Sequence, residues 1–363
     1  MIKSLNVKGL NNKSDFNLEL EFNADLNIFT GKNGSGKTTV LKLLWYMNGG
    51  FFSQLIAEVP FYYVELQTSD NTVSIERTKK DTKRGNTYKF KLDDQEVSLN
   101  EDNINGDYRQ FRSTKLFDTK LVGNNPSIFF PTFRRIEGGF TVDRNRYNDP
   151  FASRYGLKEA LSELSQNLSA PAHKFVASIS TDDLVSLLTT ESAKINEQIN
   201  SLQKSQSDSI IDKIKKRSGN DVEILESIQA DIERTDRIRQ NLSKPFTVLS
   251  ELLSNIFQHK GITLGKHLTI GDISNAISSD KLSAGEKQML SFLCYNTFSK
   301  NNAIFIDEPE LSLHPDWQRT LVSILLEQGN QNQFFMATHS PFIYSKFSDK
   351  EVIIAADKGE LFV

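Results

Sequence analysis

Apolar and polar positions alternate over residues 2–7 and 16–22, and an apolar stretch at 26–30 then runs into a glycine-rich loop and a helical pattern over 39–47. A period of two predicts strands, and a change to spacings of three and four predicts a helix. Strand, turn, strand, loop, helix is the order of an α/β nucleotide-binding unit. Segments 62–67, 72–77 and 87–92 read as further strands, with Arg84-Gly85-Asn86 as the turn between the last two, so an antiparallel hairpin system is expected as a side lobe. Short apolar runs at 303–306, 333–337 and 351–355 predict buried strands of a second α/β segment.

Between these parts the pattern changes. From about residue 157 to 257, Ser, Gln, Asn, Asp, Glu, Lys and Ile dominate and aromatic residues nearly vanish until Phe246. Ile195, Ile199 and Leu202 are spaced four and three, Ile210 and Ile214 four, and Leu225, Ile228 and Ile232 three and four, followed by Ile238 and Leu242. These are amphipathic helices. Ser218-Gly219-Asn220 marks a turn, so an antiparallel helical hairpin is expected, with arms of about 25 to 30 residues and on the order of 40 Å. Pro245 is expected to mark the chain's return, because proline disfavours a helical residue before it. The division is then residues 1–156, an inserted hairpin at 157–257, and a second α/β part at 258–363.

Composition narrows the class. With 38% apolar and 10% aromatic residues, 25 of them phenylalanine, the 363-residue chain has the material for a sizeable core. A formal charge of −3 from 43 basic and 46 acidic side chains gives no field that would draw the whole molecule to nucleic acid or a membrane. The single cysteine, Cys294, excludes a disulfide framework and fits a reducing cytoplasm, and its apolar surroundings suggest a buried small residue. Residues 1–30 lack the apolar core of a secretion signal, and no run reaches the roughly 18 apolar residues of a membrane span. A soluble cytoplasmic protein without a membrane partner is expected.

The chemistry is concentrated in four segments. Gly31-Lys32-Asn33-Gly34-Ser35-Gly36-Lys37-Thr38 fits G-x-x-x-x-G-K-[ST] between a strand and a helix, and Thr39 continues it. Backbone N–H groups and the helix N-terminus there suit a phosphate, Lys37 suits the β- and γ-phosphates, and the Thr38 hydroxyl suits Mg²⁺. Ala303-Ile304-Phe305-Ile306-Asp307-Glu308-Pro309-Glu310 is an apolar strand that delivers Asp307, a candidate Mg²⁺ ligand, and Glu308, a candidate to orient the attacking water, to the carboxyl edge of a sheet. Ala337-Thr338-His339-Ser340-Pro341 follows a second such strand, with His339 placed to reach a γ-phosphate. Ser283 with Glu286 forms a capping-box pattern ahead of an apolar helix at 289–298.

Taken in order, the phosphate loop, Lys281-Leu282-Ser283-Ala284-Gly285-Glu286-Lys287-Gln288, the acidic pair, Leu311-Ser312-Leu313-His314-Pro315-Asp316 and the histidine segment resemble the ABC ATPase superfamily. More narrowly they resemble the branch containing RecF, SMC-type heads and the OLD-like and Septu-like ATPases of bacterial phage defence. The resemblance covers about two thirds of the chain. It implies an α/β fold, an ABC ATPase head with a P-loop NTPase core and antiparallel β side lobe, split by the helical hairpin. It also implies ATP and Mg²⁺ as cofactors and two copies paired head to tail, with Ser283 and Gly285 of one copy completing the ATP site of the other. Residues 312–315 would be the D-loop at that interface and His339 the switch histidine. Ala284 and Glu286 depart from the transporter-type signature. Gln110 is a weak match to the glutamine of transporter heads. Phe129-Phe130-Pro131-Thr132-Phe133-Arg134-Arg135 stands where OLD-like ATPases have an apolar-Pro-x-x-Arg segment, which would aim Arg134 at the nucleotide.

Two functions of different class follow. One is an ATP-gated switch controlling a separate effector, nuclease or toxin, since this chain shows no H-x-x-x-H, Cys/His cluster, D-x-D pair or G-x-S-x-G of a second catalytic centre. The other is a DNA-binding repair ATPase, resting on Lys213-Ile214-Lys215-Lys216-Arg217, Lys79-Lys80 with Lys83-Arg84, and Arg134-Arg135 with Arg144 and Arg146. Each basic group reads more often as a solvated face.

Overall fold

The structure is a computed structural model that describes residues 1–13, 16–81, 85–100, 125–132, 135–136, 163–179, 181–216, 221–257 and 283–354. The chain divides into two compact units, Met1–Ser178 with Ser299–Val363, and Ile179–Phe298. Lys83, Arg84, Gln110, Arg134, Arg144, Arg146, Arg217, the Ser218-Gly219-Asn220 turn, Lys281 and Leu282 lie outside the described residues, and Gly85 and Asn86 of the expected Arg84-Gly85-Asn86 turn are already in a strand.

Among the described residues the first unit holds two six-stranded sheets. Its strands are β1 (Ile2–Lys8), β2 (Asn17–Glu21), β3 (Leu26–Thr30), β4 (Tyr63–Thr68), β5 (Thr72–Asp81), β6 (Gly85–Leu92), β7 (Gln95–Asn100), β8 (Ser127–Phe130), β9 (Arg135–Ile136) and β10 (His173–Phe175), then β12 (Ala303–Asp307), β13 (Gln333–Ala337) and β14 (Glu351–Ile353), with the short β11 (Ser178–Ile179) at the unit boundary. Strand β9 pairs apart from the two large sheets, in a two-stranded one with β11. One sheet has the order β10-β8-β12-β13-β3-β14 and its strand pairs are all parallel. Strands β3, β8, β12 and β13 are buried at every position, which is why they are mainly apolar without a period-two alternation, their polar residues Asn27, Thr30, Ser127, Asp307 and Gln333 being buried too. Strand β14 lies at the edge and is half exposed, so the expected buried strand there is an edge strand instead. Strands β8 and β10 extend the sheet beyond those expected from the pattern.

A row of aromatic rings crosses this sheet. Phe129, Phe305 and Phe335 are register neighbours, with Phe305 and Phe335 stacked at 5.1 Å. Helix α1 (Lys37–Gly49) lays Trp45 on Phe129 at 5.6 Å and on Phe305 at 6.2 Å. Helix α1 is thereby fixed against the strands whose ends carry the chemistry.

The second sheet, β2-β1-β4-β5-β6-β7, is antiparallel. It contains the expected side-lobe strands, and also β1 and β2, which the strand order had suggested for the nucleotide-binding sheet. Leu5 pairs with Leu66 and Val7 with Val64 across β1 and β4. The physical reason lies in the period: β1 and β2 alternate, as suits an antiparallel sheet buried on one face, whereas β3 is buried at every position, its polar Asn27 and Thr30 included.

The second unit contains α3 (Thr181–Lys216), α4 (Asp221–Phe257) and α5 (Ala284–Thr297). The arms α3 and α4 have 36 and 37 residues, about 55 Å each at 1.5 Å per residue, so they exceed the expected length. Lys213 on α3 and Asp231 on α4 are joined at 2.6 Å, as a hairpin requires. Pro245 does not end a helix; it sits inside α4, which continues to Phe257. A helix this long absorbs one missing N–H, and packing in the turn just after the proline holds it, with Phe246 on Phe298 at 4.9 Å and Leu249 fully buried. Cys294 on α5 is also buried, which pushes its thiol up to about 12 and leaves it inert. No helix among the described residues is long and apolar enough to cross a membrane.

Candidate functional site

Register alone brings the predicted chemistry to one edge. Phe130 pairs with Ile306, Asp307 with Ala337, and Ala337 with Phe29, so β8, β12, β13 and β3 end side by side. Each chain leaves its strand there: Pro131-Thr132 after β8, Glu308 after β12, Thr338-His339 after β13, and the phosphate loop after β3.

In the loop, Gly34 and Gly36 have φ of +80° and +98°, and no atom lies within 4 Å of a Cβ built on Gly34. Only glycine adopts such angles without strain, and the bare backbone leaves room for a phosphate. Asn33 and Gly34 are exposed, Ser35, Gly36 and Thr39 are partly buried, and α1 starts at Lys37. The Lys37 ammonium spends its donors inside the site, giving to Gly31 O at 3.0 Å, to Lys32 O at 3.1 Å and to His339 Nε2 at 2.7 Å. Burial lowers its pKa, against the attraction of Glu308, Asp307 and Glu310.

Asp307 is 1% exposed and both its carboxylate oxygens accept hydrogen bonds. Thr38 Oγ1 donates to Oδ1 at 3.1 Å, and the Thr132 hydroxyl donates to Oδ2. A carboxylate and a hydroxyl side by side are hard oxygen donors of the kind that hold Mg²⁺, which takes most of its remaining ligands from phosphates and water. The residues fit the ion.

Glu308 is left-handed, with φ of +50°, a conformation that costs a non-glycine residue roughly 1–3 kcal/mol. Its N–H donates to Ala337 O at 2.8 Å, so the turn is tied to the next strand. Burial pushes its carboxyl up to about 7, helped by the charges of Glu310 and Asp307 and opposed by Lys37. His339 Nε2 lies 3.4 Å from Glu308 Oε1 and 2.7 Å from Lys37 Nζ. An ammonium only donates, so Nε2 accepts from Lys37 and the neutral ring carries its proton on Nδ1. Burial, then Lys37, lowers the pKa of His339, which agrees with the neutral form and argues against an ion pair with Glu308.

The structure thus brings Lys37, Thr38, Asp307, Glu308 and His339 together. Ser283 and Gly285 belong to the second unit, at the start of α5, where Ser283 Oγ accepts from Glu286 N and Glu286 Oε2 accepts from Ser283 N at 2.6 Å. The expected capping box is present. Three residues of the site were not picked out from the sequence: Thr132, Glu310 and Gln318. Thr132 stood in the sequence only as an unassigned position of the apolar-Pro-x-x-Arg segment, and its partner is 175 residues away. Glu310 Oε1 accepts from His339 N at 2.7 Å and Ser340 N at 3.0 Å, and Gln318 Oε1 accepts from Ser340 Oγ at 2.6 Å. Of the basic candidates for nucleic acid, Lys213 is engaged with Asp231.

A phosphate loop opening α1, an acidic strand end and a histidine on the adjacent strand, in a parallel sheet accompanied by an antiparallel one, define an ABC-type ATPase head split by a helical insertion. Residues 26–345 match the family described as AAA domain, putative AbiEii toxin, Type IV TA system, and the chain belongs to that family. The chain is similar to the Retron Vc95 probable ATPase of Vibrio cholerae serotype O1 biovar El Tor, 23% identical over 363 residues that cover 90% of this chain and 68% of that protein. A shorter similarity, 35% identity over 75 residues, covers 19% of this chain and 13% of Endonuclease GajA of Bacillus cereus strain VD045. Among solved structures, the SMC head bound to the C-winged helix domain of ScpA aligns at 12% identity and a TM-score of 0.42, covering 95% of this chain and 91% of that one. The SMC head domain of Pyrococcus furiosus with an extended coiled coil, bound to the C-terminal domain of ScpA, aligns at 13% identity and 0.40, with the same coverages.

Proposed function

We propose that this chain binds and hydrolyses ATP with Mg²⁺, that two copies pair head to tail around the nucleotide, and that the pair is a switch controlling a separate effector protein in anti-phage defence. The observation that carries the reading is the Lys37, Thr38, Asp307, Glu308 and His339 cluster at the carboxyl edge of the parallel sheet. Family membership supports ATP as the ligand, and a relative named as a probable ATPase supports hydrolysis. The resemblance of the motifs to defence ATPases supports the setting.

The chemistry assigned to each residue follows from its state. The phosphates of ATP replace Gly31 O, Lys32 O and His339 Nε2 as acceptors for Lys37, because phosphate oxygens carry more charge than a carbonyl. That frees His339 to turn to its Nε2–H tautomer and donate to the γ-phosphate. Glu308, whose carboxyl is raised by burial and acidic neighbours, accepts a hydrogen bond from the attacking water and aligns it. Thr38 and Asp307 would hold Mg²⁺, which supplies neutralisation of phosphate charge. Ser283 and Gly285 of the second copy close the site over the γ-phosphate with the N-terminus of α5.

The decisive test measures nucleotide binding and phosphate release for the full chain and for Lys37→Ala and Glu308→Gln. Lys37→Ala is expected to lose binding, and Glu308→Gln to keep binding while losing about 100-fold or more in turnover. Undiminished binding by Lys37→Ala would overturn the reading.

A further inference from the structure

We propose that Glu310 and Gln318 are positioning residues that clamp the turn carrying His339 to the D-loop, so that movement of the D-loop is passed to the histidine. The inference rests on the reading of His339 as a γ-phosphate ligand and deepens it by supplying a means of control.

The clamp has two halves. Glu310, three residues beyond Asp307, reaches back across the sheet edge with one oxygen. Oε1 accepts from the backbone N–H of both His339, at 2.7 Å, and Ser340, at 3.0 Å. Two N–H groups on one carboxylate oxygen are charge-assisted bonds to successive residues, which restrains the orientation of the peptide and of the side chain it carries. Gln318, on α6 (Pro315–Glu327), forms the second half. Its Oε1 accepts from Ser340 Oγ at 2.6 Å, while its Nε2 donates to Leu313 O at 2.9 Å inside the D-loop. Each amide atom meets a partner of the opposite kind, a hydroxyl that donates and a carbonyl that accepts, so the amide has one orientation that serves both.

The D-loop end of the clamp is itself held in an unusual shape. Ser312 is left-handed, with φ of +65°, and Leu311 N and Leu313 N donate to Glu308 O and Glu310 O at 3.2 and 3.0 Å. The loop between β12 and α6 is therefore one compact turn. Leu311 at its tip is 42% exposed, so the turn presents an apolar side chain outward while its inner atoms bind the histidine turn. A partner pressing on the tip would shift Leu313 O and Glu310 together, and through them residues 338–340. His339 is then brought into line only when the D-loop has met its partner. Glu310 also acts on Glu308, whose carboxyl it helps raise by its charge and a side-chain hydrogen bond, so the exchange reading at the histidine turn, and not kcat alone, isolates the clamp.

The test uses the full chain without nucleotide and with ATP. In the nucleotide-free protein, amide hydrogen exchange at His339 is expected to rise about tenfold in Glu310→Ala and to return close to the wild-type rate in Glu310→Gln, whose Oε1 still accepts the bond, while Ser340 N–H keeps a second acceptor in Thr338 Oγ1 at 2.9 Å and moves less. With ATP, Glu310→Ala is expected to lower kcat about tenfold while KM moves by less than about threefold, with Glu310→Gln restoring most of kcat. Gln318→Leu removes the other half at similar volume and should lower kcat in the same direction, and the double variant should be little worse than the poorer single one. Unchanged exchange in Glu310→Ala, equal damage in Glu310→Gln, or multiplicative losses in the double variant would each overturn the clamp. If Glu310→Ala does not fold, Gln318→Leu carries the same readings. A wild-type chain that binds no ATP sinks the proposed function, yet the exchange comparison still decides the clamp.

Discussion

Lys37 has a different set of partners here from the phosphates that its motif foretells. It is held by two carbonyls of its own loop and by His339, and the price of that arrangement is desolvation of an ammonium, seen in its lowered pKa. Glu308 shows the complementary strain, with a left-handed backbone and a carboxyl raised to about 7 from 4.5. A group that binds its proton more tightly when folded contributes stability that is complete below its unfolded pKa and lost as pH rises through the folded value. Glu308→Gln keeps a neutral side chain at every pH. The Tm of the nucleotide-free variant is therefore expected to gain on wild type between about pH 5 and about pH 8, and a difference independent of pH in thermal unfolding would refute this. Residue identities for this pocket were readable because the motifs are local. Thr132, Glu310 and Gln318 were not, because a threonine, a glutamate and a glutamine acquire these roles only through partners on other strands.

At the scale of elements, β3, β12 and β13 were recognisable from mainly apolar runs while β8 and β10 were not, and β1 and β2 were assigned to the wrong sheet because period two does not name a partner. Pro245 was read by its local preference, which the packing of a 37-residue helix overrides. The element that positions the phosphate loop is α1, and its anchor is Trp45, 1% exposed against the aromatic row. Its indole Nε1 is buried without a hydrogen bond among the described residues, so phenylalanine loses ring area but no polar partner. Trp45→Ala is expected to cost about 3–5 kcal/mol and Trp45→Phe less than about 2 kcal/mol. Denaturant midpoints measure both, and similar losses in the two variants would show that the packing of the ring is not what holds α1.

At the scale of the whole molecule, the proposed pairing of two copies makes ATP a bridge between them. Glu308→Gln, which is expected to hold ATP without hydrolysing it, should double the apparent mass in light scattering when ATP and Mg²⁺ are added, and wild type should do so transiently. A mass unchanged by ATP in the variant would remove the paired site. Helix α5, with Ser283 and Gly285 of the proposed paired site, groups with the helical unit and the phosphate loop with the other.

Short-range order determined much of this protein in advance. Gly-x-x-x-x-Gly-Lys-Thr between strand and helix, Asp307-Glu308 after an apolar run and His339 after another specify their own local conformations, since each depends on neighbours within a few residues. Tertiary structure decided which strands stand side by side, and hence that Asp307 meets Thr132 and Lys37 meets His339 across 302 positions of sequence. It also decided the bonds from Glu310 and Gln318 to the histidine turn. Those contacts depend on parallel register and on burial, which a one-dimensional pattern does not contain.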